Sequence, residues 1–318
     1  MRAGSLSLAA ENLLLKGALM EIGSSKAEAI RTLLLVLGGA NRGAYGSGAG
    51  VAFHELGLGD AFDIIVGIST GAWIGGYFRV GKAQMYLGAS IYYDDFSGNR
   101  FISYRNFPHI MSRDAIFSVT QEGEKKLDTE AILRSRSQFF VGVTDEEGNG
   151  ALIDVKEAMP NVYAALVASS ANPLGYREPY PLNNGRFWDG GLALPFPIKE
   201  VCELFEPTDV LVLPNMPRPP SPRASALRER IFCEVFLRHI PERIRRLIYT
   251  RKEYFAEGLE YMARRKDINI DILWPPDCGV ERLTRDSKKL FAAAQGAAEG
   301  ALAYFCAAEG EVKITLLH

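Results

Sequence analysis

Two short apolar runs, each followed at once by a glycine turn and a helical pattern, constrain the fold more than any other feature of this sequence. The first run spans residues 31–37 and the second spans residues 62–66. A short continuous apolar run bounded by turn residues is typical of a strand buried on both faces, as strands of parallel sheets are. Helical patterns over residues 44–56 and 70–78 complete an order of strand, helix, strand, helix. That order predicts an α/β fold with a parallel sheet.

Further segments continue this pattern along the chain. Strands are predicted at residues 138–144, 151–155, 186–188, 209–213 and 268–273, and helices at residues 161–170, 224–266 and 287–307. The first two of these strands flank a glycine-containing loop and are expected to form a hairpin. Five prolines in nine residues mark 214–222 as a loop. Strands on both sides of this loop indicate that one sheet continues across it.

Composition and charge exclude several classes of protein. The 318 residues carry 36 Lys and Arg against 38 Asp and Glu, so the formal net charge is -2 and no overall attraction to nucleic acid is expected. The 4 cysteines and 4 histidines are scattered, without the spacing of a disulfide framework or a metal site. We therefore expect no metal and no other cofactor. Residues 1–26 lack the uncharged apolar core of a signal peptide, and no segment has the length of a transmembrane helix. These observations predict a cytoplasmic protein.

The second apolar run leads into Gly67-Ile68-Ser69-Thr70-Gly71, a G-x-S-x-G motif. Between a buried strand and a helix, this motif is typical of a nucleophile elbow, in which a sharp turn exposes the serine hydroxyl. The positive end of the helix that follows would favour a developing alkoxide on Ser69. A glycine-rich turn with an incidental serine is the alternative interpretation.

The first apolar run leads into a second glycine-rich loop, Gly38-Gly39-Ala40-Asn41-Arg42-Gly43. Such strand-to-helix loops present backbone amides to anions. A dinucleotide-binding loop is excluded because Ala40 stands where the G-x-G-x-x-G spacing requires glycine, and a P-loop is excluded because no G-K-[ST] is present. An oxyanion hole, which needs only two or three amides directed at one point, remains.

A third motif, Asp189-Gly190-Gly191, follows the strand predicted at 186–188. Alone it is more typical of an Asx turn than of a functional site. In order and spacing, however, the three motifs resemble those of the patatin-like phospholipase family, which carries a glycine-rich loop with Arg or Lys, then G-x-S-x-G, then D-G-G or D-G-A. The resemblance covers about residues 33–305 and extends to three further segments: Gly43-Ala44-Tyr45, Ala168-Ser169-Ser170-Ala171 and Arg282-Leu283-Thr284. The family usually has glycine where this chain has Ala40, so a positive φ at that residue would be costly.

The resemblance implies a three-layer α/β/α domain with a mainly parallel sheet over residues 31–318, preceded by an N-terminal extension at 1–30. It also implies a serine lipid acyl hydrolase in which Ser69 attacks the ester and Asp189 accepts the serine proton, with neither histidine nor cofactor. The implied oxyanion donors are the amides of Gly39, Ala40 and Thr70. The residues implied to support them are Gly38, Asn41, Arg42, Gly43, Gly67, Gly71 and Gly190. Arg42 would brace the loop or add positive potential.

Three functions remain open on this basis. The first is a lipid acyl hydrolase that cleaves phospholipids or other acyl esters. The second is a carboxylesterase or acyltransferase that uses the same dyad, and the third is a non-catalytic lipid-binding relative. All three motifs keep their reactive residue types, which argues against the third function. A triad in the order Ser, Asp, His would need His239, inside a predicted helix, or His318, the final residue, and neither has a suitable setting.

Residues 223–252 hold nine Lys and Arg against three acidic residues, interleaved with apolar residues at helical spacing. A basic amphipathic helix can lie on a membrane surface. Packing of the apolar side on the catalytic domain is the simpler interpretation. Peripheral membrane contact is therefore held as a hypothesis, and Arg243, Arg245 and Arg246 are the residues expected to take part.

Overall fold

The computed structural model describes residues 6–21, 24–219, 226–306 and 316. Eight strands form one sheet: β1 (Thr32–Val36), β2 (Ile64–Ile68), β3 (Gln138–Asp145), β4 (Gly150–Asp154), β5 (Tyr180–Leu182), β6 (Gly185–Asp189), β7 (Asp209–Leu213) and β8 (Asn269–Ile272). Their order is β5-β6-β3-β2-β1-β7-β8, and β4 pairs with β3 beside this path. The pairs from β3 through β8 in this order are parallel, whereas β4, β5 and β6 pair antiparallel. The mainly parallel sheet confirms the predicted fold class.

Helices cover both faces of the sheet. They are α1 (Leu8–Glu21), α2 (Gly43–Glu55), α3 (Thr70–Val80), α4 (Lys82–Ser90), α5 (Arg113–Phe117), α6 (Thr129–Arg134), α7 (Val162–Ser169), α8 (Ile198–Phe205), α9 (Ala226–Phe236), α10 (Glu242–Arg264) and α11 (Ser287–Phe305). Alternate residues of β1 enter two separate apolar clusters: Leu34 packs with α2, α3 and α11, and Leu35 packs with α8 and α10. Because successive strand side chains point to opposite faces, the four apolar residues 33–36 of β1 contribute to both cores.

The pairing along β3 decides which strand ends meet. Strand β2 pairs with residues 138–142 of β3, and β6 pairs with residues 143–145. Strand β4 pairs with residues 140–144 of β3 and so occupies one edge of β3 beside both of these stretches. Strands β2 and β6 therefore lie along the opposite edge of β3, one beyond the other. Since β2 runs parallel to β3 and β6 runs antiparallel, the carboxyl ends of the two strands face each other. The motifs that follow β2 and β6 are therefore adjacent.

One predicted helix is wrong as a single element. Residues 224 and 225 lie outside the described residues, and the remainder of the 224–266 segment forms α9 and α10 with a turn between them. Pro241 precedes the first residue of α10. Proline has no backbone N–H to continue α9, and it disfavours helical backbone at the residue before it. The turn buries Leu237 and Ile240, so burial of these two side chains accompanies the break.

Several elements had no counterpart in the sequence prediction. Residues 82–135 contain α4, α5 and α6, and the three-residue strand β5 completes the hairpin with β6. Helix α1 was also not predicted, and it lies on the sheet: Leu13 is buried, and Lys16 donates to the carbonyl oxygen of Ile30 at 2.6 Å and pairs with Asp63. Among the residues that the structure describes, no helix is both long enough and apolar enough to cross a bilayer.

Candidate active site

Ser69 lies at the sharp turn between β2 and α3. Its backbone has φ 56° and ψ −121°, a conformation that costs a non-glycine residue free energy and persists where the surrounding structure fixes it. Two close approaches exist at this turn. A Cβ on Gly67 would lie 2.5 Å from Cα of Ala72, and a Cβ on Gly71 would lie 2.1 Å from the carbonyl oxygen of Val36. These two glycines are thus required for the turn that presents the Ser69 hydroxyl.

The Ser69 hydroxyl donates a 2.9 Å hydrogen bond to Oδ2 of Asp189. This carboxylate is buried and accepts two more hydrogen bonds, from the Gly191 amide at 2.8 Å and from Nδ2 of Asn172 at 3.1 Å. Burial raises the pKa of Asp189, and the three donors together with the charge of Arg282 lower it, with a net upward shift. A carboxylate with a raised pKa is a stronger base than an exposed aspartate.

Two further glycines of the implied supporting set have no room for a side chain, and a third is tightly packed. A Cβ on Gly190 would lie 2.1 Å from the carbonyl oxygen of Gly142 in β3, and a Cβ on Gly43 would lie 2.5 Å from the ring of Tyr92. At Gly38 the nearest atom would be Cβ of Ser69, at 3.1 Å. The approaches at Gly190 and Gly43 pack their motifs against β3 and Tyr92, and the approach at Gly38 holds the glycine-rich loop against the serine.

The glycine-rich loop runs from the end of β1 past Ser69. Ala40 has φ 49°, in the left-handed region that glycine adopts without cost. The backbone strain expected from the missing glycine is therefore present in this chain. The buried side chain of Asn41 anchors the loop by donating to the carbonyl oxygens of Phe96 at 3.2 Å and Thr284 at 2.7 Å.

The backbone amides around the serine fall into two groups. Asn41 N donates to the carbonyl oxygen of Arg282 at 3.2 Å, and Arg42 N donates to that of Gly39 at 3.1 Å. The second group has no hydrogen-bond partner within the described ranges, and it consists of the amides of Gly38, Gly39, Ala40, Thr70 and Gly71. It includes the three amides implied as oxyanion donors.

The side chain of Arg42 lines the cavity above the serine. Burial lowers the pKa of its guanidinium to about 10. Its Nε is buried and has no hydrogen-bond partner in the part of the chain that the structure describes. Two roles are expected for Arg42. This geometry suits the addition of positive electrostatic potential to the cavity better than the bracing of the loop.

Three polar residues without a predicted role of their own complete the site: Ser169, Asn172 and Asn215. The Ser69 amide donates to Oγ of Ser169 at 3.0 Å. Asn215 donates to the carbonyl oxygen of Leu37 at 2.6 Å and accepts from the Gly46 amide at 2.7 Å, so it ties the end of β1 to α2. Asn215 follows β7, and a polar residue at the carboxyl end of a parallel strand is the signal that could have identified it. Asn172 directly follows the Ala168-Ser169-Ser170-Ala171 motif.

Serine, aspartate and loop lie in the wall of one cavity of about 1040 Å³. Apolar side chains dominate the rest of its lining, including Trp73, Ile74, Phe96, Phe101, Ile110 and Leu192. Cavities of this size and character hold medium-sized apolar ligands.

No histidine in the described ranges forms a hydrogen bond to Ser69 or Asp189. The rings of His109 and His239 pack together at 5.1 Å, and His318 lies outside the described residues. Within the same ranges, no group of three or more His, Cys, Asp and Glu side chains is arranged to hold a metal ion.

The three arginines expected to contact a membrane do not share one free basic face. Nη2 of Arg245 pairs with Glu234 of α9 at 3.1 Å, and Arg243 pairs with Glu147, in the loop after β3, at 3.7 Å. Arg246 is exposed. For two of the three residues, the contacts are therefore those of packing within the domain.

Helix α9 instead exposes apolar side chains. Four of them form a surface that we call the α9 apolar stripe: Leu227, Ile231, Val235 and Phe236. Phe236 packs on the ring of Phe107 at 4.7 Å, and Phe107 is itself exposed and lines the cavity. The stripe is therefore continuous with the mouth of the cavity.

The chain was compared with protein-family models, with solved structures and with curated proteins. A family model described as patatin-like phospholipase matches residues 34–201, which include the glycine-rich loop, Ser69 and Asp189. Among solved structures, VipD from Legionella pneumophila is similar to 84% of this chain and 74% of its own, with 11% sequence identity and a TM-score of 0.37. No curated protein matches the chain.

Proposed function

This chain belongs to the patatin-like phospholipase family, and we propose that it hydrolyses acyl esters of lipids with Ser69 as nucleophile and Asp189 as general base. The observation that carries the proposal is the 2.9 Å hydrogen bond from the Ser69 hydroxyl to Oδ2 of Asp189 in the wall of an apolar cavity. A serine next to a base within hydrogen-bonding distance is the arrangement of an activated nucleophile.

In the first half of the reaction, Oγ of Ser69 attacks the ester carbonyl carbon while Asp189 takes the serine proton. The tetrahedral intermediate then expels the alcohol, which receives that proton from Asp189. Water attacks the acyl-enzyme in the second half, with Asp189 again as base, and the fatty acid leaves as the serine is restored. Burial supports this role because it raises the pKa of Asp189 and so increases its basicity.

The carbonyl oxygen becomes an oxyanion in each half of the reaction. The amides of Gly39, Ala40 and Thr70 are its proposed donors, since no described residue accepts a hydrogen bond from them. Loss of one such donor typically lowers kcat by about 100- to 1,000-fold. The strained φ of Ala40 is consistent with a loop whose shape serves these amides rather than its own stability.

A lipid substrate resides in an aggregate or bilayer, so the enzyme must meet that surface. We propose that the α9 apolar stripe makes this peripheral contact. Its residues Leu227 and Ile231 are 70% and 54% exposed, and the stripe adjoins the cavity mouth through Phe107. A helix with an exposed apolar side at an entrance suits the boundary between headgroups and acyl chains.

A serine-reactive fluorophosphonate tests the catalytic proposal directly. We expect the wild type to be labelled and Ser69→Ala to be unlabelled, whereas the matched control Ser118→Ala, an exposed serine, is labelled like the wild type. No labelling of the wild type would favour the non-catalytic alternative.

A chain-length series of p-nitrophenyl esters beside phospholipid vesicles then separates the two enzymatic alternatives. Turnover that rises when the substrate aggregates indicates a lipid hydrolase. Turnover confined to monomeric esters indicates a carboxylesterase, and product formation that requires an acceptor alcohol indicates an acyltransferase.

A further inference from the structure

A π-helical turn in the cavity wall has no part in the reaction described so far. It spans Ile91–Asp95, directly after α4, and the amide of Phe96 closes it by donating to the carbonyl oxygen of Ile91 at 2.8 Å. Single π-helical turns are frequent at functional sites. Tyr92 and Phe96 both line the cavity that contains the serine. The contacts of these two residues with the glycine-rich loop and the serine turn give the segment a role.

The hydroxyl of Tyr92 forms a hydrogen bond with Oγ1 of Thr70 at 2.6 Å. Both side chains are buried, with Tyr92 4% and Thr70 8% exposed. Thr70 directly follows Ser69, and its backbone amide is one of the three proposed oxyanion donors. A hydrogen bond between buried groups is strong and rigidifies the side chains that it joins. Tyr92 therefore holds the residue whose amide would contact the oxyanion.

The same end of the tyrosine ring also contacts the glycine-rich loop. A Cβ on Gly43 would lie 2.5 Å from Cζ and from the hydroxyl oxygen of Tyr92, so the ring lies directly against the Gly43 backbone. The Gly43 amide in turn donates to the carbonyl oxygens of Ala40 and Asn41. Ala40 carries another of the proposed donors. One phenol group is thus in contact with residues on both sides of the serine.

A second contact joins the π-helical turn to this loop. Nδ2 of Asn41 donates to the carbonyl oxygen of Phe96 at 3.2 Å, and the rings of Phe96 and Tyr92 pack edge to face at 5.9 Å. Burial raises the pKa of Tyr92, so its hydroxyl keeps its proton at any pH that suits an ionised Asp189. The hydrogen bond with Thr70 is therefore available throughout the working range of the proposed base.

We propose that Tyr92 is a positioning residue that fixes the two sides of the oxyanion hole relative to each other: the Thr70 amide on one side, and the amides of Gly39 and Ala40 on the other. The inference rests on the proposed hydrolysis and adds to it a residue outside the three sequence motifs. Backbone amides stabilise an oxyanion only when they are directed at the point where its charge develops. The two sides follow different strands, β2 and β1, and Tyr92 bridges them from a third segment.

Tyr92→Phe removes the hydroxyl group and keeps the ring. Loss of a whole oxyanion donor costs about 100- to 1,000-fold in kcat, and displacement of a catalytic group by about 1 Å costs about 100-fold. We expect Tyr92→Phe to lower kcat for a monomeric p-nitrophenyl ester by about 10- to 100-fold. KM should stay within about threefold of the wild type, because the oxyanion forms only after the ester is bound.

Thr70→Val breaks the same hydrogen bond from the other side and should lose a similar factor in kcat. Thr70→Ser keeps the hydroxyl and should lose less than Thr70→Val. Because both substitutions remove one shared contact, the double variant Tyr92→Phe with Thr70→Val should be no less active than the weaker single variant. Losses that multiply in the double variant would show that the two residues act independently, and would overturn the proposal.

Tyr163→Phe is the matched control. The Tyr163 hydroxyl forms a hydrogen bond with Oγ1 of another threonine, Thr120, also at 2.6 Å, and both residues are buried. Tyr163 belongs to α7 and is outside the cavity lining. Its loss of a hydroxyl should cost similar thermal stability, with kcat within about twofold of the wild type. An equal fall in kcat in Tyr163→Phe and Tyr92→Phe would overturn the positioning role.

Inhibition by a trifluoromethyl alkyl ketone gives a readout that a purely structural role would not change. Oγ of Ser69 forms a bond to the ketone carbon, the C=O π bond opens to an oxyanion, and Asp189 takes the serine proton. The inhibition constant should therefore rise in Tyr92→Phe and in Thr70→Val by about the factor by which kcat/KM falls. Labelling with the fluorophosphonate counts the active enzyme, because partial unfolding would lower the active fraction and leave the inhibition constant unchanged.

The outcomes separate this inference from the catalytic proposal. If the wild type hydrolyses esters and Tyr92→Phe is as active, the positioning role is overturned and the proposed function stands. A lower kcat with an unchanged inhibition constant has the same consequence. A wild type that neither hydrolyses esters nor reacts with the fluorophosphonate overturns both. A parallel loss of kcat and of ketone affinity, confined to the Tyr92 and Thr70 variants, supports the positioning role.

Discussion

Ser69 and Asp189 are 120 residues apart in the chain and are joined by a 2.9 Å hydrogen bond. The register of the strands in the sheet brings these two residues together. Ile68, the residue before the serine, pairs with Gly142 of β3, and Asp189 pairs with Val143, the next residue along the same edge. One strand arrives parallel and the other antiparallel, so the two ends meet without any contact between β2 and β6 along their lengths.

Asp189→Asn should lower ester turnover by about 10²- to 10⁴-fold, the usual contribution of a general base. The amide cannot accept the serine proton, although it keeps the shape of the carboxyl group. Initial rates with a monomeric p-nitrophenyl ester measure the loss, and thermal unfolding shows whether the variant is folded.

Histidine substitutions should leave activity nearly unchanged, in contrast to Asp189→Asn. His109→Gln and His239→Gln should each stay within about threefold of wild-type kcat/KM, because neither ring hydrogen-bonds to the dyad. A histidine variant as inactive as Asp189→Asn would replace the dyad with a triad and contradict the mechanism.

The acid side of the pH–rate profile should depend on Asn172. Activity requires ionised Asp189, whose pKa burial raises, so kcat/KM should fall as pH decreases through that raised pKa. The Asn172 side chain donates to the carboxylate and stabilises its charged form. Asn172→Ala removes this donor and should move the acid limb to higher pH. A limb that stays in place, or that moves to lower pH, would show that Asp189 is not the titrating base.

Gly190→Ala should separate the dyad. The added Cβ would lie 2.1 Å from the carbonyl oxygen of Gly142, so the end of β6 must move away from β3 and carry Asp189 with it. A displacement of about 1 Å in a catalytic group can cost about 100-fold in rate, and kcat should fall by at least about that factor.

The matched control for this substitution is Gly300→Ala in α11. There the nearest atom to the added Cβ is Cδ of Pro276, at an ordinary contact distance of 3.7 Å. Alanine is the better helix former by about 1 kcal/mol, so Gly300→Ala should keep full activity with equal or higher thermal stability. Equal activity of the two variants would contradict the close-packing argument at Gly190.

The α9 apolar stripe should determine binding to lipid surfaces. Replacement of Leu227, Ile231 and Val235 by serine should reduce co-sedimentation with anionic vesicles by roughly tenfold or more, since each buried apolar side chain contributes about 1.5–3 kcal/mol when fully buried. The defect should persist at high salt, because salt screens charges and leaves the apolar contribution in place.

Leu204→Ser is the matched control, since Leu204 is 60% exposed on α8, outside the cavity lining. It should bind vesicles like the wild type. If both variants bind equally, the stripe has no part in membrane contact. The Arg243, Arg245 and Arg246 set is a poorer probe, because loss of Arg245 would also break its contact with α9.

Sequence patterns predicted the mainly parallel sheet and most of the residues of interest. A continuous apolar run such as 33–37 is buried on both faces of the sheet, and this requirement specified a helix-covered, mainly parallel sheet. Motif chemistry selected Ser69 and the loop at 38–43, because glycine and serine at strand ends act through local backbone geometry that short spacing encodes. Asp189 was selected by the resemblance to the patatin-like phospholipase family.

Tertiary structure alone decided how these residues act together. The Ser69–Asp189 contact depends on the register of β3. The raised pKa of Asp189 depends on its burial. No periodicity within one segment records the distance to another, so Asn172 carried no signal of its own. Dielectric environment and charge proximity belong to the assembled cavity, and chemistry at Ser69 depends on both.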